Sequence, residues 1–218
     1  MSTTDQQAQS AATGFPRRQA LATIGGIALG VTTGGLYRRA RASSSKHGTL
    51  VRPPGAGSEQ EFLSACIRCG QCVEACPPEY GTLRLADITK GISSGTPFAS
   101  DLRHNPCYIC QGYPEPQCIK ACPTDALKPL LDNSEIRMGL AVIDESTCWA
   151  YNGTSCRSCW HACPWPNEAI ILNERVQPVV NPEACVGCGL CVHACPTDPE
   201  SIVIRPEDAA ADLRRVKG

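Results

Sequence analysis

Cys66-Ile67-Arg68-Cys69-Gly70-Gln71-Cys72-Val73-Glu74-Ala75-Cys76-Pro77 decides how the rest of this chain is read. Three cysteines follow one another at two-residue gaps, a fourth comes after three residues, and a proline closes the run. The same arrangement returns near the other end as Cys185, Cys188, Cys191 and Cys195, followed by Pro196. Two stretched copies lie between. Cys107, Cys110, Cys118 and Cys122 carry a seven-residue gap before the third cysteine, and Cys148, Cys156, Cys159 and Cys163 carry one after the first. The four blocks account for all 16 cysteines of the 218 residues, and each ends in Cys-Pro.

The spacing has a physical reading. Two-residue gaps let a tight turn wrap three thiolates around one inorganic core, with backbone N–H groups aimed at sulfur. The three-residue step begins a helical turn that carries the fourth cysteine toward a neighbouring core. Pro77, Pro123, Pro164 and Pro196 then fix the chain direction. Gly70, Gly187 and Gly189 permit close backbone approach. This is the bacterial run that binds [4Fe–4S] clusters, and sixteen ligands make four of them. Zinc favours separated C-x2-C knuckles. Disulfides suit an exported chain with an even cysteine count, but neighbours three residues apart pair poorly. Both rank below iron–sulfur.

The remaining composition agrees. Aromatic residues make up 5% of the chain, against 18 prolines and 19 glycines, too few for a large conventional core. Clusters supply the missing crosslinks. A formal net charge of −1 and the lack of a basic stripe argue against nucleic-acid binding. No Ser/His/Asp set, paired carboxylates or phosphate loop is present, so the expectation is an electron-transfer subunit without a catalytic site of its own. His161 and His193 sit inside three-residue steps and are assigned to the surface, not to iron. Trp149, Trp160 and Trp165 crowd the third block, where packing is the larger expectation and shielding of a cluster the smaller.

Residues 1–42 read as an export signal: Arg17-Arg18-Gln19-Ala20-Leu21, an uncharged Gly- and Thr-rich stretch over 20–36, then Ala40-Arg41-Ala42. The arginine pair is similar to a twin-arginine signal. Retention as an uncleaved anchor is the alternative, since Arg38, Arg39 and Arg41 can stop transfer. Cleavage removes five arginines and Asp5, leaving 15 basic and 20 acidic residues. Folded export fits cluster chemistry, because an oxidising periplasm would scramble sixteen free thiols. Residues 43–59 read as a Ser/Pro-rich linker, 60–205 as the four-cluster domain, and 206–218 as a tail helix.

The expected fold class is α+β, ferredoxin-like: two interlocked 2[4Fe–4S] units of short strands and helices with much irregular loop. Pairing of the blocks is argued from the intervening segments. Apolar stretches at 126–131 and 139–143 suggest a hairpin between the second and third blocks, and a similar pattern lies between the third and fourth. No matching second strand is evident between the first and second. The expectation is therefore nested. Cys195 completes the cluster of Cys66, Cys69 and Cys72, and Cys76 that of Cys185, Cys188 and Cys191. Cys163 completes the cluster of Cys107, Cys110 and Cys118, and Cys122 that of Cys148, Cys156 and Cys159. The run Ser201-Ile202-Val203-Ile204 would close the outer unit.

The chain resembles the NapG/MauM ferredoxin-type proteins over nearly its full length. The resemblance rests on the arginine-pair signal, RPPGA at 52–56, ACIRCGQCVEACP at 65–77, GTPF at 95–98, RMGLAVID at 137–144 and the long gap of the third block. It implies a periplasmic four-cluster subunit. Its partner would be a polytopic membrane ferredoxin-type quinol dehydrogenase, and its acceptor a periplasmic redox protein of nitrate reduction or methylamine utilisation. The iron–sulfur subunit of a molybdenum oxidoreductase or hydrogenase complex is the competing reading. The charged ending ADLRRVKG weighs against it, since many such subunits end in a membrane helix.

Overall fold

The computed structural model describes residues 50–210; the candidate signal segment, residues 43–49 and residues 211–218 lie outside the described residues. The first helix, α1 (Glu59–Ala65), begins at a capping box. The Ser58 side chain accepts from the Glu61 N–H while the Glu61 carboxylate accepts from the Ser58 N–H. Its one buried residue, Phe62, is 1% exposed and anchors the N-terminal half of the molecule.

Four single-turn helices recur at the cysteine blocks: α2 (Gln71–Glu74), α3 (Gln117–Lys120), α4 (Ser158–Ala162) and α5 (Leu190–His193). Each contains the third cysteine of its block, and the chain leaves it at the fourth. This is the helical turn expected of the three-residue step. Helix α2 packs on α3, and α4 on α5.

Strands frame the helices in two similar halves. In the N-terminal half β1 (Leu83–Leu85) pairs antiparallel with β2 (Pro97–Ala99), the two joined through a 3-10 segment, Ile88–Ser93, capped by Asp87. The ends of that half meet in an isolated antiparallel bridge between Ala56 and Leu127. In the C-terminal half β4 (Ile170–Leu172) pairs with β5 (Pro178–Val180), and the flanks close as β3 (Gly139–Ile143) against β6 (Ile202–Pro206). That longest pairing runs from Gly139 opposite Pro206 to Ile143 opposite Ile202.

Each half has its own small core, around Phe62, Leu83, Ile119 and Leu127 in one and Leu140, Ile170, Val192 and Ile202 in the other. A third cluster spans both, with Val51, Ala99 and Ile109 meeting Ile136, Met138, Val186 and Leu190. Ile136 and Met138 are 0% and 1% exposed. Burying side chains of this size contributes about 1.5–3 kcal/mol each.

Three expectations from the sequence differ from this arrangement. The strand partner missing between the first two blocks is present as Pro97–Ala99, only three residues long and opened by proline. Residues 126–131 form no strand beyond the bridge at Leu127. Residues 51–56 are not linker but packed chain: the Arg52 side chain is buried, and the Val51 carbonyl accepts from the Ala99 N–H at 2.8 Å. The tail is helical at residues 207–210, after Pro206 has ended β6.

Candidate iron–sulfur sites

The third residue of each C-x-x-C turn shows how the chain folds locally around its sulfurs. Arg68, Ile109 and Gly187 occupy the same place in the first, second and fourth blocks, and all are left-handed, with φ of 58°, 56° and 76°. A side chain there costs about 1–2 kcal/mol. Arg68 is held in place by donating to the carbonyls of Ser94 and Ile92, both at 3.0 Å. Gly187 needs its missing side chain, because a Cβ would lie 2.5 Å from the Gly139 nitrogen.

Around these turns the cysteines line four cavities of nearly equal size, with empty volumes of ≈ 340, 360, 320 and 350 Å³. Cys66, Cys69 and Cys72 share the first with Cys122. Cys107, Cys110 and Cys118 share the second with Cys76. Cys185, Cys188 and Cys191 share the third with Cys163. Cys148, Cys156 and Cys159 share the fourth with Cys195.

This grouping replaces the nested arrangement. Cys195 stands with the third block, not with Cys66, Cys69 and Cys72; Cys122 stands with the first block, not with the third. Cys76 likewise joins the second block and Cys163 the fourth. The physical cause is the β1–β2 hairpin, which folds the second block back onto the first, while β3 and β6 close the third and fourth blocks into a pair of their own. The two halves are successive along the chain.

The donor sets suit a cluster. Zinc holds four sulfurs at about 2.3 Å from one point. Here four cysteines line each cavity, three of them from the run whose spacing wraps a cluster. The thiols are also shielded from water. Burial pushes Cys72 up to about 11, with the neighbouring Cys122 and Cys66 adding to the rise. Burial is the first cause again at Cys107, Cys159 and Cys188, each pushed up to about 12. Cys118 and Cys191 are raised for the same reason. Crowded, buried thiolates of this kind need a bound cation to hold their charge.

Polar hydrogens already point at several sulfurs. The Gln117 N–H meets Cys110 Sγ at 3.4 Å, and the Ala141 N–H meets Cys185 Sγ at 3.5 Å. Hydrogen bonds to sulfur are one of the levers that set a cluster's potential. Thr124 and Thr197 also bring hydroxyls to the sulfurs and are not evident from the cysteine spacing. Each follows its fourth cysteine by two residues, and its hydroxyl lies 3.7 Å from Cys122 Sγ and 3.1 Å from Cys195 Sγ, respectively. The signal for them is the repeated Cys-Pro-Thr-Asp at 122–125 and 195–198.

Other candidate residues separate. The His193 ring nitrogen Nδ1 lies 2.7 Å from the Arg103 carbonyl, and His161 packs edge-on against Trp160; neither lines any of the four cysteine cavities. Trp149 and Trp165 do line cavities, those of Cys148 and Cys185 respectively, whereas Trp160 turns away and donates to Asn167 Oδ1 at 3.1 Å. No helix among the described residues is long and apolar enough to cross a membrane.

Comparison with known proteins follows the same division. Residues 65–126 match a family described as a 4Fe-4S dicluster domain, and residues 140–196 match a second family of the same description. The chain is 42% identical over 187 residues to the ferredoxin-type protein NapG of Escherichia coli (79% of this chain, 76% of that protein). It is 43% identical over 182 residues to the methylamine utilization ferredoxin-type protein MauM of Methylobacillus flagellatus (79% and 72%). NapG of Haemophilus influenzae is 38% identical over 207 residues (88% and 71%). The sixteen cysteines fit four [4Fe–4S] clusters. The chain belongs to the NapG/MauM family of ferredoxin-type iron–sulfur electron-transfer proteins.

Proposed function

We propose that this protein is a periplasmic electron relay that passes electrons from a quinol-oxidising membrane ferredoxin-type partner to a periplasmic redox protein. Four [4Fe–4S] clusters form its wire. The observation that carries the reading is the sharing of cysteines: each cavity takes three sulfurs from one block and the fourth from the adjoining block. The ligand sets are then Cys66, Cys69, Cys72 and Cys122; Cys107, Cys110, Cys118 and Cys76; Cys185, Cys188, Cys191 and Cys163; Cys148, Cys156, Cys159 and Cys195. In each, the clusters supply the one-electron chemistry. The chain's own residues fix their spacing and exclude water.

Electrons travel through the cavities in the order first block, second, fourth, third. Cys72 lies close enough to Cys118 to add to the rise that burial causes there, and Cys159 does the same for Cys191. In the middle, the Cys107 backbone touches that of Cys188. The relatives support both the nitrate reductase and the methylamine dehydrogenase systems as settings. Export in the folded state is read from Arg17 and Arg18.

Anaerobic purification tests the cluster reading. The protein is expected to be brown and to hold about sixteen irons with matching sulfide; a colourless zinc protein overturns it. Exchange of Arg17 and Arg18 together for lysine is expected to leave the protein in the cytoplasm, because the export receptor reads paired guanidiniums. Normal delivery of that variant overturns the export assignment.

A further inference from the structure

Arg103 lies in the loop between β2 and the second cysteine block, yet its guanidinium reaches into the C-terminal half. Nη1 donates to the carbonyl of Val192 at 3.2 Å and to the carbonyl of Cys195, and Nη2 donates to the carbonyl of Thr197 at 3.4 Å. The Val192 carbonyl, in the last turn of α5, also accepts from the Cys195 N–H at 3.1 Å, and the Cys195 and Thr197 carbonyls lie on the chain just beyond the helix. Among the described residues no carboxylate pairs with Arg103. A half-buried cation is thus satisfied by three carbonyls on the segment that delivers the fourth sulfur of the third-block cavity.

The segment is held from its other side too. The Thr197 hydroxyl lies 3.1 Å from Cys195 Sγ, and the Ser201 N–H and hydroxyl meet that oxygen at 2.8 and 2.9 Å. Two of the three carbonyls Arg103 binds belong to Cys195 and Thr197 themselves. The contact therefore bears on a ligand and on the hydroxyl beside it.

We propose that Arg103 is a positioning residue for the cluster held by Cys148, Cys156, Cys159 and Cys195. It fixes Cys195 from the opposite half, and its permanent charge raises the potential of that cluster above the value its thiolates alone would give. The physical ground is that a [4Fe–4S] core with four thiolates is anionic and becomes more so on reduction, so a fixed cation stabilises the reduced form more than the oxidised one. Arginine suits the place because its fork spans carbonyls three and five residues apart on the chain while remaining charged at every accessible pH. The inference rests on the four-cluster reading and adds to it a residue outside every cysteine block.

The test is a redox titration followed by electron paramagnetic resonance on the whole purified protein. The third-block cluster is identified as the signal altered in Cys195→Ser. Arg103→Gln is expected to keep about sixteen irons and to move that midpoint potential downward by more than any of the other three; Arg103→Lys is expected to restore most of the shift. Unchanged potentials in Arg103→Gln, or an equal shift of all four, overturn the inference. Where Arg103→Gln fails to hold its clusters, Arg103→Lys decides. Full loading at the wild-type potential upholds the role of the charge, and loss of clusters there too overturns it. Absence of clusters from the wild-type protein itself would instead overturn the underlying reading.

Discussion

The backbone N–H of Cys107 donates to the carbonyl of Cys188 at 2.8 Å. Each of these residues turns its sulfur into a different cavity, so the two halves of the molecule are joined at a bond between two ligand-bearing residues. Leu102 packs against Gly189 across the same junction, and the Met138 N–H donates to the Val186 carbonyl at 3.0 Å on its C-terminal side. In the proposed wire this contact is the passage from the second-block cluster to the fourth-block cluster.

A linear order makes a prediction about magnetic neighbours. In the fully reduced protein the second-block cluster has two paramagnetic neighbours and the third-block cluster has one. Cys118→Ser, which disables an interior cluster, is expected to simplify the spin-coupled spectrum of two others. Cys159→Ser, at an end, is expected to simplify only one. Electron paramagnetic resonance of the dithionite-reduced variants measures this. Equal effects from both would mean that the clusters are not arranged in a line.

The sharing of cysteines predicts which double substitutions are redundant. Cys66→Ser and Cys122→Ser strike the same cluster, so together they are expected to cost no more iron than one cluster holds, about four. Cys66→Ser with Cys195→Ser strike two clusters and are expected to cost about eight. Iron and sulfide analysis of anaerobically purified variants distinguishes the two cases. The nested arrangement requires the reverse, with the second pair redundant.

Those expectations mark where the sequence was legible. Ligand identity follows from spacing alone, because the turn that wraps a cluster is local and each fourth cysteine sits one helical turn beyond the third. Pairing of the blocks depends on which strands meet, and there the local pattern misleads. Pro97-Phe98-Ala99 is too short to stand out, and its partner Leu83-Arg84-Leu85 lies eleven residues upstream behind a 3-10 turn. Residues 126–131 look apolar enough for a strand, but they bury only Ala126 and Leu127, with Leu130 packed partly exposed against the core. Arg52 and Pro53 read as linker because prolines and glycines follow them. Only the folded molecule shows that Arg52 reaches 44 residues along the chain to Thr96.

That arginine carries the third prediction. Arg52 is 5% exposed, pairs with Glu59 through two contacts (Nε to Oε2 at 2.7 Å), and donates to Thr96 Oγ1 at 2.8 Å and the Pro97 carbonyl at 2.9 Å. Its guanidinium also lies 4.7 Å from the centre of the Phe62 ring. It thus ties the entry to α1 to the start of β2. Arg52→Ala leaves the part-buried Glu59 carboxylate with the Ser93 hydroxyl, at 3.0 Å, but no cation, and is expected to destabilise the N-terminal half by about 3 kcal/mol, the low end for breaking a buried pair. The loss is to be read as a lower anaerobic melting temperature with earlier bleaching of the visible cluster absorbance. Arg52→Ala together with Glu59→Gln is expected to recover part of it, because no unpaired charge then remains. A single variant as stable as the wild type would show that this pair does not hold the half together.

Gly187 and Gly112 separate two costs that a glycine can avoid. Both have positive φ, 76° and 92°. A Cβ at Gly112 meets nothing within 4 Å, so Gly112→Ala suffers only the left-handed backbone, about 1–2 kcal/mol. At Gly187 the same atom would lie 2.5 Å from the Gly139 nitrogen and 2.6 Å from its oxygen. These are backbone atoms at the start of β3, and moving them disturbs the register in which Gly139 faces Pro206. Overpacking of this kind adds about 1–3 kcal/mol. It also acts on the C-x-x-C turn between Cys185 and Cys188, where displacement shifts two sulfurs at once. Gly187→Ala is therefore expected to lose the fourth-block cluster, and Gly112→Ala to keep all four. Iron analysis and anaerobic melting of the two variants side by side make the comparison. Equal behaviour would mean that left-handed conformation, and not the approach of β3, is what the glycine at 187 serves.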